Sequence, residues 1–205
     1  MKIVLNQVGK KYTKRWLFKG ISFLIESNQT IAITGYNGSG KSTLLQIVLG
    51  YQLPSTGSVQ FFQHDQVILP EHIFNHIAFV APYLELPEEL TLLEAIDFHF
   101  SFKQFNPKQS ITEAIHHAGL TGNETKFIKY FSSGMKQRLK LLLAFYDTSE
   151  VLLLDEPTSN LDETGIAWYQ QLLATQHHTR TIIIASNQKY EYELCDAVMD
   201  VTGRV

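Results

Sequence analysis

The chain lacks most features that would take it outside ordinary globular chemistry. It holds one cysteine, Cys195, among its 205 residues. A lone thiol cannot close an internal disulfide, which fits a reducing compartment, and as a small apolar side chain it reads as core. No run of roughly 18 apolar residues occurs, so no segment is suited to span a membrane by itself as a helix. Met1 to Phe23 alternates apolar and charged residues and has no signal-peptide core. A dominant charge is missing too: 17 basic and 20 acidic residues leave a formal net charge of -3. That balance offers no electrostatic footprint for nucleic acid or an anionic membrane. Internal repeats, low-complexity linkers and long charge runs are also absent. What remains is 44% hydrophobic and 18% charged, the balance of a folded protein. The length fits one large domain or two closely joined lobes.

Strand-like and helix-like segments alternate, which predicts an α/β core with a parallel sheet. Thr30–Thr34, Val151–Leu154 and Thr181–Ala185 are short, nearly continuous apolar runs, as expected of strands covered on both faces. A helix is predicted from Lys41 to Leu49, with Gly50 at its C-terminal cap. Met1–Ser27 and roughly Gly57–Val80 read as an antiparallel lobe beside the core. Pro82–Leu143 reads as helical, with capping boxes at Thr91/Glu94 and Ser110/Glu113. Within it, Phe98, Phe102 and Phe105 share a face by i, i+4, i+7 spacing, which predicts core packing. Phe100 points elsewhere, with Leu93 and Ile96. A helix apolar on two faces is either deeply buried or docks a partner.

Residues 35–43 read GYNGSGKST and satisfy G-x-x-x-x-G-K-[ST]. Gly35, Gly38 and Gly40 let successive backbone N–H groups turn inward around phosphates, and the helix that follows adds the positive end of its dipole. Asn37, Ser39, Lys41, Ser42 and Thr43 complete the candidate nucleotide cradle. Lys41 would reach the β- and γ-phosphates, and the Ser42 hydroxyl would bind Mg²⁺. The motif lies where a strand should end and a helix begin, which separates it from a mere glycine-rich turn.

Val151–Glu156 reads VLLLDE, an apolar strand ending in two carboxylates at the sheet edge where open α/β folds bind ligands. Asp155 suits a second Mg²⁺ contact, directly or through water. Glu156 is placed to polarise a water for attack on the γ-phosphate.

Further segments resemble the ATP-binding-cassette family. FSSGMKQR at Phe131–Arg138 resembles its signature loop, and DEPTSNLD at Asp155–Asp162 its Walker B strand and D-loop. GISF at Gly20–Phe23 resembles the stretch ahead of Walker A. The resemblance runs from about Gly9 to about Cys195, and short single-domain cassettes, including those similar to heme exporters, have about this extent. It implies a phosphate-loop NTPase fold in one domain over 1–205, with an antiparallel β lobe and a helical signature lobe at about 82–143. It also implies a head-to-tail dimer enclosing two ATP molecules, in which Ser132 and the backbone at Gly134 contact the γ-phosphate bound by the other subunit. Tyr12 stands at the family's adenine-stacking position, with Trp16 as the nearby rival and an ordinary strand aromatic as the plain alternative.

Three departures qualify the resemblance. The segment IAFVAPY places Pro82 and Tyr83 where the family has its Q-loop glutamine, and a proline side chain cannot bind Mg²⁺ or orient water. Either a water takes over or this sensor is absent. Asn187 stands at the switch-histidine position as a neutral donor, and charge-assisted bonds are roughly twice as strong. Ser133 and Met135 replace the usual glycine and glutamine of the signature. The eight histidines, among them His72/His76, His116/His117 and His177/His178, show no zinc pattern with cysteine or glutamate and read as solvated.

The expectation is an ATPase with MgATP as cofactor, Glu156 and Asn187 at the reacting phosphate, and Ser42 and Asp155 at the metal. It would be the nucleotide-binding subunit of a transporter, cytoplasmic and held at the inner face of the membrane by a separate membrane-spanning subunit. The working form expected is a homodimer assembled on ATP, with no nucleic-acid partner. The alternative is a nucleotide-gated regulatory or assembly module with little turnover.

Overall fold

The computed structural model describes residues 1–202. A parallel sheet of five strands forms the centre, in the order β6-β7-β8-β3-β9. Its strands are β3 (Thr30–Thr34), β6 (Ile77–Val80), β7 (Val151–Asp155), β8 (Thr181–Ala185) and β9 (Ala197–Asp200). Every pairing within it is parallel. A four-stranded antiparallel sheet lies beside it, ordered β2-β1-β4-β5. It is built from β1 (Lys2–Tyr12), β2 (Arg15–Ile25), β4 (Thr56–Gln63) and β5 (Gln66–Ile68).

Helix α1 (Lys41–Val48) follows β3 directly. Between β6 and β7 run α2 (Leu92–Phe100), α3 (Ile111–His117) and α4 (Ser133–Phe145), and α5 (Glu163–Gln176) joins β7 to β8.

The strand period of two divides the core into two clusters. On β7, Leu152 and Leu154 face a cluster shared with α2, α3, α4 and α5, while Val151 and Leu153 face one shared with α1 and the antiparallel sheet. Ile182 and Ile184 of β8 follow the first group, Ile183 and Ala185 the second. All of these side chains are buried, so helices on one side and the antiparallel sheet with α1 on the other cover β7 and β8 completely.

Several expectations need correction. Ile77–Val80 belongs to the parallel sheet, where it pairs with β7, and not to the antiparallel lobe. Pro82–Leu143 is only partly helical, because three helices there are separated by extended and turn segments. The aromatic face is also different. Phe98 and Phe102 are exposed and meet edge to face at 5.3 Å, while Phe100 and Phe105 pack against the helical-lobe core. The helix ends at Phe100, so a period extended to residue 105 crosses a turn. The buried stripe is Leu92, Ala95 and Ile96, continued by the partly buried Phe100.

Candidate functional site

The loop between β3 and α1 is shaped by backbone that only glycine takes readily. Gly38 and Gly40 sit at φ 84° and 101°. A Cβ on Gly40 would lie 2.7 Å from Phe18 and 2.9 Å from Leu17, so the loop rests directly on β2. Gly40 caps α1 with no side-chain hydrogen bond, leaving the first-turn N–H groups open toward the loop. The Lys41 ammonium is buried and donates to the carbonyls of Gly35 (2.8 Å) and Tyr36 (3.4 Å), so it is held inside the cradle.

Asp155 ends β7 opposite α1. Burial raises its pKa above the usual carboxylate range, while the hydroxyls of Ser42 and Tyr83 oppose that rise by favouring the charged form. Neither hydroxyl closes a full hydrogen bond, and both carboxylate oxygens are buried without a partner. Such orphaned oxygens beside a serine hydroxyl fit a small hard cation, which prefers oxygen ligands. Glu156 follows in the left-handed region at φ 43°, a conformation that costs about 1–3 kcal/mol for a non-glycine residue. Its amide donates to the Ala185 carbonyl at 2.9 Å, which fixes the turn at the sheet edge.

The fold brings Asn187 to this edge from the end of β8. Its Nδ2 donates to Asn37 Oδ1 at 2.8 Å, linking two loops 150 residues apart. Asn37, Glu156 and Asn187 line one cavity of about 280 Å³ with Ser159 and Ser186. Glu191, a buried carboxylate, accepts from the Thr158 amide at 2.8 Å and from its hydroxyl, and holds the segment after Glu156. No sequence motif marks Glu191.

The signature loop lies elsewhere. Ser132 is the N-cap of α4 and accepts from the Met135 amide at 3.2 Å. A Cβ on Gly134 would lie 3.0 Å from the Asn160 carbonyl, which adds an intramolecular reason for glycine there. Ser132, Gly134, Asn160 and Asp162 line a cavity of about 570 Å³ that includes none of residues 35–43. Asp162 caps α5 and accepts from Arg138 at 2.7 Å, and these contacts hold its pKa below the usual range. The buried Gln137 donates to the Pro157 carbonyl at 2.6 Å, tying α4 to the Walker B turn.

Tyr12 is exposed at the end of β1, with the Lys10 ammonium 5.4 Å from its ring centre. Trp16 is half-buried, flanked by Lys11 and Lys19 and lying over Gly9. Of the two rings, Tyr12 offers the freer face. His177 and His178 both approach Asp196 Oδ1, at 3.5 and 3.8 Å, and Asp196 accepts from the amide of Thr30 at the opposite end of β3 from the phosphate loop.

On the outer side, α2, α4 and the segment after β6 border a groove of about 360 Å³. Phe79, Leu84, Leu86, Phe98 and Phe102 give it an apolar lining, with His99 within it. No described helix is long and apolar enough to cross a membrane.

Comparison with known proteins gives a consistent result. The family model described as ABC transporter matches residues 18–159. An uncharacterised ABC transporter ATP-binding protein of Bacillus subtilis, YybJ, is 32% identical over 211 residues, covering 98% of this chain and 93% of that protein. The cytochrome c biogenesis ATP-binding export protein CcmA of Xylella fastidiosa is 31% identical over 160 residues, covering 78% of this chain and 74% of its own length. A solved ATP-binding subunit of an ABC transporter superposes with a TM-score of 0.86 at 21% identity, covering 98% of this chain and 85% of that one.

Proposed function

Because the chain belongs to the ATP-binding-cassette transporter family, whose ATP-binding subunits hydrolyse ATP to drive transport, we propose that its own residues divide that work as follows. The open N-terminus of α1 and Lys41 bind the phosphates through residues 35–43. Tyr12 stacks on the base. Ser42 and Asp155 hold Mg²⁺, which when bound neutralises charge on the phosphates. Glu156 takes the proton of the attacking water, and Asn187, held by Asn37, donates to the γ-phosphate.

The single observation that carries this reading is Asp155: a buried carboxylate with two unpartnered oxygens facing the phosphate-loop serine. A structural aspartate would be hydrogen-bonded, and this one is left for a ligand. ATP-binding subunits of this family dimerise and work with membrane subunits. We propose for this chain a homodimer in which Ser132 and Gly134 of each copy close over the other copy's ATP, since the signature cavity shares no lining with its own phosphate loop. The apolar groove at Phe98 and Phe102 is the proposed seat of an integral-membrane subunit, which would hold the chain at the inner face of the membrane. The whole of 1–205 acts as one ATP-binding domain in this reading.

Steady-state phosphate release with MgATP, measured beside Glu156→Gln, tests the assignment. Turnover in the parent and its loss in the variant, with ATP binding retained, supports it. Equal turnover in both removes Glu156 from the role.

A further inference from the structure

The turn after β6 carries a polar side chain at the residue following the proline, Tyr83. Val80 of β6 pairs with Leu154 of β7, so the turn carrying Tyr83 leaves the sheet beside Asp155, and the two groups lie close enough to shift each other's pKa although no hydrogen bond joins them. The Tyr83 hydroxyl accepts from Gln46 Nε2 at 2.9 Å. Gln46 Oε1 in turn accepts from Gln52 Nε2 at 2.6 Å, and Gln52 Oε1 accepts from the Tyr12 hydroxyl at 3.1 Å. Each glutamine in this series accepts on one side and donates on the other. Both amides are therefore oriented the same way, and the Tyr83 hydroxyl keeps its own proton to donate. The chain runs from Tyr12, past α1, to Tyr83 in the turn after β6.

The turn carrying Tyr83 is also gripped from the helical lobe. Lys140 of α4 donates to the carbonyls of Ala81 and Pro82, at 3.2 and 3.0 Å. Pro82 offers no amide hydrogen and no polar side chain, but its fixed φ and its carbonyl hold the turn that aims the next residue. The Tyr83 ring lies against Phe79 of β6 at 6.4 Å between ring centres, which limits where the hydroxyl can go.

We propose that Tyr83 is a positioning residue of the metal site: its hydroxyl, set by the Tyr12–Gln52–Gln46 chain, orients the Asp155 carboxylate for the cation held with Ser42. This rests on the ATPase reading above and replaces the missing glutamine by a residue this sequence supplies one position later. It also links occupancy of the base site, through Tyr12, to occupancy of the metal site.

The test is Mn²⁺ binding to the full-length chain saturated with a non-hydrolysable ATP analogue, followed by the electron paramagnetic resonance signal of the free ion. Mn²⁺ takes the same oxygen ligands as Mg²⁺. Tyr83→Phe keeps the ring and removes only the hydroxyl. Loss of a group that orients a metal ligand typically weakens metal affinity ~10–100-fold, and a weakening of at least ~10-fold is expected here. Metal-free nucleotide affinity should be unchanged. Gln46→Leu leaves Tyr83 in place and should shift Mn²⁺ affinity in the same direction. Combined with Tyr83→Phe it should add nothing, because the two act through one chain. Mn²⁺ affinity unaltered by Tyr83→Phe, or fully additive effects of the pair, would overturn the proposal. A parent chain that binds no ATP, or no Mn²⁺ beside it, would instead overturn the ATPase reading on which it rests.

Discussion

Two helices of this chain open on candidate phosphate contacts, and they are built differently. At α1 the cap is Gly40, left-handed and without a side chain, so the first amides stay free. At α4 the cap is Ser132, whose hydroxyl already accepts from the Met135 amide. The other described α-helices follow α4, capped by Thr91, Ser110 and Asp162. A capped end is stable with nothing bound, whereas an open end keeps its donors for a ligand. In the proposed dimer, the first arrangement would suit a site that holds nucleotide throughout, and the second a surface that meets phosphate only when another copy arrives.

Substitutions can break this comparison at either end. The largest effect is expected on chemistry: Glu156→Gln should lower turnover ~10²–10⁴-fold, the usual worth of a general base, while ATP binding persists in a filter or fluorescence assay. Next is Gly40→Ala. Its backbone strain alone costs about 1–3 kcal/mol, and contact with Phe18 adds to it. Denaturant unfolding should show clear loss, together with loss of nucleotide binding. Gly134→Ala, in ordinary helical backbone, should instead leave nucleotide binding to the monomer intact and impair dimer closure, with a stability cost confined to the contact with the Asn160 carbonyl. If it abolished ATP binding by the monomer, the division between the two ends would be wrong.

Ser132→Ala should cost about 1 kcal/mol, the typical worth of an N-cap, read from the shift in denaturation midpoint. Asp155→Asn sharpens the contrast from another side. The folded pKa of Asp155 lies above its unfolded value, so folding binds the proton more tightly. Its contribution is fully favourable below the unfolded pKa and is lost as pH rises through the folded one. Near neutral pH the charged acid therefore opposes folding of the nucleotide-free protein. Asp155→Asn should raise the melting temperature there while weakening Mg²⁺ binding, and the gain should shrink as pH is lowered.

Legibility in the sequence followed contiguity. β3, the glycine loop and α1 are adjacent, so strand period, motif and helix start reinforce one another. Thr30–Thr34 and Thr181–Ala185 were readable to the residue. Both capping boxes close as their spacing predicts. Phe102 lies past the helix end, where a helical period carries no information, and Phe98, inside the helix, lies off the buried stripe of Leu92, Ala95 and Ile96. Four apolar residues do not say which neighbour they pair with, so the sequence alone does not reveal that β6 joins the parallel sheet. β9, also four residues long, carries no stronger local signal. The Asn37–Asn187 bond and the glutamine chain behind Tyr83 depend on residues brought together from distant parts of the sequence. Glutamine on a helix carries no local signal of such a role.

The most direct test of the account is sedimentation of the Glu156→Gln chain with and without MgATP, alone and carrying Gly134→Ala. A composite site predicts a monomer without nucleotide, a dimer with MgATP, and no dimer once Gly134 is replaced although ATP remains bound. A Glu156→Gln chain that binds ATP yet stays monomeric, or dimerises equally well with Gly134→Ala, would contradict it.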